Sequence, residues 1–166
     1  MLEQELASIM KFVLTAANSP HPYYWDVPAE FQFPAVFFPT PEIESEGETF
    51  RTYRLDYTWF LQFFHTSTNG AHDMALAVYE AIKKARNLIP LIDENGGYLT
   101  EGIKGIRLGE PSLRRVDRGV VQLTLRFASR RPYTVPDKTL MQTWFAIIVD
   151  KSDGTEITTT NGEEDD

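Results

Sequence analysis

The sequence predicts an α+β fold: a mainly antiparallel sheet with two helices packed on one face, and one long strand or hairpin that protrudes. Three observations lead there. Apolar residues recur at helical spacing over 2–17 and 74–89. Other stretches alternate apolar and polar residues with period two, the longest over 50–64. The resulting order of helix, extended aromatic segments, helix and three strands lacks the strand–helix alternation of a parallel sheet.

The first helix follows from Leu2, Leu6, Ile9, Met10, Val13, Ala16 and Ala17, which share one face, and Asn18-Ser19-Pro20 ends it. Over 20–41, Tyr23, Tyr24, Trp25, Phe31, Phe33, Phe37 and Phe38 are interleaved with Pro20, Pro22, Pro28, Pro34, Pro39 and Pro41. A proline has no N–H for a ladder, so the stretch reads as edge strand or extended chain. An acidic loop over 42–48 follows. Next, Tyr53, Leu55, Tyr57, Trp59, Leu61 and Phe63 occupy alternate positions, with Arg54, Asp56, Thr58 and Gln62 between them. At about 3.3 Å per residue this strand would span about 45 Å, enough to protrude beyond the core or to bend at a bulge.

A turn at 66–70 leads to the second helix. Its stripe is Met74, Ala77, Val78, Ala81, Ile82, Ala85, Leu88 and Ile89, its polar face holds an i,i+4 pair of Glu80 and Lys84, and Pro90 stops it. A Gly-rich turn at 93–97, strands near 102–108 and 120–127, and a final strand at 141–149 complete the expected elements.

With 166 residues, 42% of them hydrophobic, the chain suffices for one domain with its own core, read as 1–149. The net charge of -8 is uneven: over 150–166 seven acids face one lysine, which leaves -2 for the rest. That segment has Ile157 as its one large apolar residue. It reads as an acidic tail, disordered or ordered only by a partner, with a solubilising end as the simpler use. The absence of cysteine excludes disulfides, thiolate metal sites and cysteine nucleophiles. No apolar run approaches the roughly 18 residues of a membrane helix. Glu3 and Glu5 stand where a signal peptide would be basic, so the chain reads as soluble and unexported, with no membrane partner.

Motifs for catalysis are missing: no Gly-x-Ser-x-Gly, no His-Glu-x-x-His, no phosphate-binding loop and no Gly-x-Gly-x-x-Gly. No cofactor is expected. His65 and His72 close the long strand and open the second helix, and with Asp73 they make a candidate metal set for a small metal-dependent enzyme; polar residues flanking a turn are the plainer account. Asp56 with Glu42, Glu44, Glu46 or Glu48 suggests an acid/base pair, but a cross-strand charge pair with an arginine explains Asp56 more simply.

Two features point to partners. Arg107, Arg114, Arg115, Arg118, Arg126, Arg130 and Arg131 fall within 25 positions. Nucleic-acid binding asks for a basic domain, and this one is acidic even without its tail. Pairing with acidic surfaces of a neighbouring copy fits better: Arg114, Arg115 and Arg118 against Glu44 and Glu46. The aromatic stretch either packs in the core or, through Phe37 and Phe38, joins a subunit interface.

Four segments resemble tail terminator (tail completion) proteins of long-tailed bacteriophages. They are Phe33-Pro34-Ala35-Val36-Phe37-Phe38-Pro39, Arg54-Leu55-Asp56-Tyr57-Thr58-Trp59-Phe60-Leu61, the helix from Ala71-His72-Asp73-Met74 to Asn87-Leu88-Ile89-Pro90, and Asp117-Arg118-Gly119-Val120-Val121-Gln122-Leu123-Thr124-Leu125-Arg126-Phe127. The likeness spans about 31–133. It implies a non-enzymatic subunit without cofactor, assembled as a hexameric ring at the virion's tail neck. Such a ring halts the tube, joins a head-side connector protein and lets DNA pass through its lumen without sequence-specific binding. It would be assembled in the host cytoplasm, with the tail tube protein as its other partner. A head-to-tail connector or tube protein is the nearby alternative. Residues 134–166 have no counterpart in the resemblance.

Overall fold

The computed structural model describes residues 2–26, 29–30, 32–99, 105–134, 145–149 and 156–160. They fall in two compact units, Met1–Tyr133 and Thr134–Asp166. In chain order the elements are α1 (Leu2–Ala16), β1 (His21–Tyr24), β2 (Ala35–Phe38), β3 (Glu42–Gly47), β4 (Thr52–Phe64), α2 (Thr68–Lys84), β5 (Leu88–Pro90), β6 (Gly105–Arg107), β7 (Ser112–Asp117), β8 (Val120–Pro132), β9 (Phe145–Val149) and β10 (Glu156–Thr160). The α+β class holds.

The spine of the first unit is the antiparallel pair β4 and β8, in register from Thr52↔Pro132 to Phe64↔Val120. On the other edge of β4, β2 and β3 follow one another, β2 at Phe64–Gln62 and β3 at Thr58–Tyr53. The parallel strand β1 extends β2, and β7 extends β8 at Thr124–Val120. Strand β4 has the expected length, yet it lies within the sheet, with β8 along one edge and β2 and β3 on the other.

Alternation along β4 and β8 decides the core. Tyr57, Trp59, Leu61 and Phe63 and, from β8, Val121, Leu123, Leu125 and Phe127 turn to one face and are buried there. Leu6, Ile9 and Val13 of α1 and Ala71, Ala75, Val78 and Ile82 of α2 close over them, so both helices lie on the same face. Each such large side chain contributes about 1.5–3 kcal/mol by leaving water. Tyr57 stacks on Phe127 with centroids 4.7 Å apart, and Trp59 donates from Nε1 to the Pro39 carbonyl at 2.6 Å.

Five local expectations change. Strand β2 is interior rather than edge, because Pro34 and Pro39 bracket its four residues and leave every N–H in the ladder; Pro22 sits in the edge strand β1. Residues 42–47 are strand β3 instead of loop: the long edge of β4 pairs them although every one is exposed. Helix α2 ends at Lys84, before Leu88 and Ile89, since Arg86 and Asn87 adopt positive φ and reverse the chain into β5. Strand β7 was not expected at all. Within the second unit, β9 pairs antiparallel with β10, Val149↔Glu156 to Phe145↔Thr160, so part of the segment read as a disordered tail is strand; 150–155 and 161–166 lie outside the described residues.

Candidate assembly surface

The face of the sheet opposite the helices is built in rows fixed by register. At one end the rows are aromatic and polar: Tyr23, Phe37, Gln62, Gln122 and Arg114 lie side by side across five strands. At the other they are charged: Glu42, Thr58 and Arg126; Glu44, Asp56 and Ala128; Glu46, Arg54 and Arg130.

Arg54 directly opposite Arg130 would repel it were the two left alone. Glu46 takes Arg54 Nη2 at 2.8 Å and Asp56 takes its Nε at 2.9 Å, while Glu48 receives both bonds from Arg130 Nε at 2.8 and 2.9 Å. The hydrogen bond from Arg130 holds the Glu48 carboxyl below its ordinary pKa, and the bond to Asp56, followed by its charge, raises that of Arg54. Asp56 thus pairs along its own strand, at i−2, rather than across to a neighbour.

Beside this row lies an open groove of about 670 Å³, lined by Arg107, Gly109, Arg126, Arg130, Asp56 and Glu44 among others. The guanidinium groups of Arg107 and Arg126 have no acidic partner among the described residues.

The two outer strands carry opposite charge. Among the described residues strand β3 pairs only with β4, and Glu42, Glu44 and Glu46 are exposed along it. Strand β7, among the described residues, pairs only with β8 and exposes Arg114, Arg115 and Val116; Arg118 follows in the turn whose Gly119 has φ 73°. No guanidinium group of Arg114, Arg115 or Arg118 meets an acid among the described residues, although the Arg118 main-chain N–H donates to Asp117 Oδ1 at 2.6 Å. Because Arg114 faces Gln122 and Arg115 faces Val121, their side chains lie on opposite faces of the sheet.

Of the residues expected at an interface, Arg114, Arg115, Arg118, Glu44 and Glu46 are exposed, although Glu46 already serves Arg54. Phe37 is half-buried on the helix-free face. Phe38 is a correction: it points the other way, fully buried between Tyr24 and Trp59, and cannot reach a partner. The seven-arginine cluster is split among edge, groove and interior. Arg131 belongs to the interior, where it donates to Glu5 at 3.0 Å beside the bond from Ser129 to Glu5 at 2.7 Å.

The metal reading is also corrected. Among the described residues no three His, Cys, Asp or Glu side chains gather into a ligand set. His65 folds back onto the first turn of α2, where Nδ1 accepts from Ser67 N–H at 3.2 Å. His72 and Asp73 are exposed on that helix.

No protein-family model matches the chain. It is 30% identical over 141 residues to the phage-like element PBSX protein XkdJ of Bacillus subtilis strain 168, covering 85% of this chain and 94% of XkdJ. The chain belongs to the XkdJ family. A second relative, YqbJ of the same strain, is 26% identical over 137 residues, 82% of this chain and 91% of YqbJ. A chain of the virion of a native gene transfer agent particle aligns with TM-score 0.47 and 17% identity over 77% of this chain and 94% of that one. In this XkdJ-family chain the exposed chemistry is therefore a charged sheet, acidic at one edge and basic at the other.

Proposed function

We propose that this chain is a structural virion protein of a phage-type tail: a terminator that closes into a ring at the head-proximal end of the tube. There it stops polymerisation and presents a joining surface to a head-side connector protein, acting without catalysis or cofactor. Membership of a family that includes a phage-like element protein supports the phage setting, and the resemblance of 31–133 to tail terminators supports the position. One observation favours assembly above all: the free edges of the sheet are opposite in charge, Glu42 and Glu44 on β3 against Arg114, Arg115 and Arg118 at β7. Unlike surfaces at opposite edges make head-to-tail contacts, and these close into a ring when the rotation per subunit divides a full turn.

Native mass spectrometry with negative-stain imaging tests the proposal. A closed six-fold ring is expected, lost in Arg114→Glu/Arg115→Glu and regained when Glu44→Arg is added. Long stacked tubes from the pure chain would instead make it a tube protein. A ring indifferent to these reversals at low and high salt would remove Arg114, Arg115 and Glu44 from the contact.

A further inference from the structure

The outer edges of β3 and β7 differ from the other strands in their backbone as well as in their charge. Ladder bonds alternate along a strand, so the direction of each backbone group follows from a few fixed points. Glu48 N–H donates to the Thr52 carbonyl at 3.3 Å, and Tyr133 N–H to the Arg51 carbonyl at 2.9 Å. Even-numbered residues of β4 therefore bond to β3 and odd-numbered ones to β8. On β3 this commits Glu42, Glu44 and Glu46 to the ladder and turns the N–H and C=O groups of Ile43, Ser45 and Gly47 outward. On β7 it commits Ser112 and Arg114 to Thr124 and Gln122, and turns those of Leu113 and Arg115 outward. Among the described residues no backbone group hydrogen-bonds to these outward groups.

Such edges invite strand addition, and natural sheets guard them with charge. Here the guard is selective. Two β3 edges would set glutamate against glutamate and two β7 edges arginine against arginine, and like charges directly opposite one another repel. A β3 edge meeting a β7 edge has no such conflict. Within one chain β3 and β7 run antiparallel, through β4 and β8. A copy set alongside in the same orientation thus presents its β7 antiparallel to β3, with its helices on the same side of the sheet.

One register satisfies side chains and backbone together: Glu44 opposite Arg114, Ile43 opposite Arg115 and Ser45 opposite Leu113. Glu44 and Arg114 both stand on the helix-free face. Their own backbone groups point away from the contact, so they form the closer, non-hydrogen-bonded kind of pair, with Cα atoms about 4.5 Å apart. Ile43, Ser45, Leu113 and Arg115 exchange the main-chain bonds. A slip of two residues one way sets Ser45 against Pro111 and Arg115 against Pro41, neither of which has an N–H. A slip the other way sets Arg114 against Glu46, which Arg54 already holds.

We propose that the subunits of the ring join by strand addition: β3 of one copy pairs antiparallel with β7 of the next, Glu44 opposite Arg114, so that one sheet continues from subunit to subunit. The pairing rests on the head-to-tail ring proposed above and goes beyond it, for a ring requires only that the charged edges meet. Main-chain bonds supply the affinity, and the charges choose the partner edge.

The chain has no cysteine, which permits a cross-link without background. In full-length Glu44→Cys/Arg114→Cys the expected separation suits a disulfide, and mild oxidation should give a ladder of covalent oligomers on non-reducing gels. Either single variant should give none. Hydrogen exchange on the unsubstituted chain should show the amides of Ile43, Ser45, Leu113 and Arg115 at least about tenfold slower in the oligomer than in subunits dissociated by dilution. Ser45→Pro deletes one outward N–H at an edge position that proline tolerates, and should abolish the oligomer while the circular dichroism of the subunit is unchanged. Should that variant misfold, cross-link and exchange still decide. An oligomer whose four amides exchange as fast as in the free subunit overturns strand addition and leaves the ring standing. So does an oligomer of the cysteine pair that forms no ladder, or an equal ladder from Glu46→Cys/Arg114→Cys. A chain that stays monomeric throughout overturns the ring as well.

Discussion

Glu5→Leu should destabilise the first unit by about 2–3 kcal/mol, and the reasoning can be followed atom by atom. Glu5 and Arg131 are each only 15% exposed, with Nη2 and Oε2 3.0 Å apart, and the other Glu5 oxygen accepts from Ser129 at 2.7 Å. Removing one partner of a buried pair typically costs about 3–5 kcal/mol, because the survivor is left as an uncompensated charge. The residual exposure lets water reach Arg131 and brings the figure toward the lower end. The two hydrogen bonds set an upper limit: bonds to charged groups are worth about 1.5–3 kcal/mol each, about 3–6 kcal/mol for the pair, and the estimate lies at or below its lower end because water can reach the groups left behind. Replacing both ions by apolar groups, as in Glu5→Leu/Arg131→Met, should cost less than either single change, since no charge remains buried. Urea unfolding followed by circular dichroism, with the m-value unchanged, measures all three variants. A Glu5→Leu loss under about 0.5 kcal/mol would refute the burial argument. Simple additivity of the two changes would refute the coupling.

Three further outcomes follow from single groups. Tyr57→Phe should leave stability unchanged or raise it by up to about 1 kcal/mol: the hydroxyl is buried with no well-formed hydrogen bond, and burial raises its pKa against the opposing pull of Arg131. A loss of more than about 1 kcal/mol in the same urea assay would mean that the hydroxyl is satisfied. Gly119→Ala should cost about 2–3 kcal/mol by thermal or urea unfolding, because φ is 73° and the new Cβ would stand 2.5 Å from the His65 carbonyl oxygen. Lys83, by its hydrogen bond first and its charge second, lowers the Glu110 pKa from 4.5. The stabilisation is therefore present above pH 4.5 and disappears as pH falls through the lowered value, so Glu110→Gln should flatten the acid side of the stability–pH curve while leaving its alkaline side in place.

Periodicity made β4 and the body of α2 legible, because burial on one face leaves a clear trace: Tyr57, Trp59, Leu61 and Phe63 read directly as a core face. It failed where pairing rather than burial makes the strand. Residues 42–47 and 112–117 have no alternating apolar face, and they are strands because β4 and β8 are long enough to leave edges to pair with. The helical stripe continued through Leu88 and Ile89 because the two positive-φ residues before them, Arg86 and Asn87, carry no glycine signal. For the assembly surface, charges could be counted but not oriented. Arg131 and Arg130 are neighbours in sequence, yet the one-residue pleat sends the first to Glu5 in the interior and the second to Glu48 outside.

That pleat also decides which charges are free to meet a neighbour. Glu46 and Glu48 are committed to Arg54 and Arg130, without which those two arginines would face each other unscreened. Glu44 has the reverse problem, for it lies opposite Asp56, a like charge, and has no cation of its own among the described residues. At the far edge Arg114 and Arg115 lie opposite Gln122 and Val121, neither of which can neutralise them. Each subunit alone therefore carries a mismatch at both ends of one sheet, acidic at β3 and basic at β7. The proposed head-to-tail contact relieves both at once. Any one exposed pair adds only about 0–1 kcal/mol, so a stable ring needs several such pairs together with apolar contact from side chains such as Val116 and Ile43. Since Arg114 and Arg115 project from opposite faces, a neighbour that engages both must grip the β7 edge rather than lie flat on either face of the sheet.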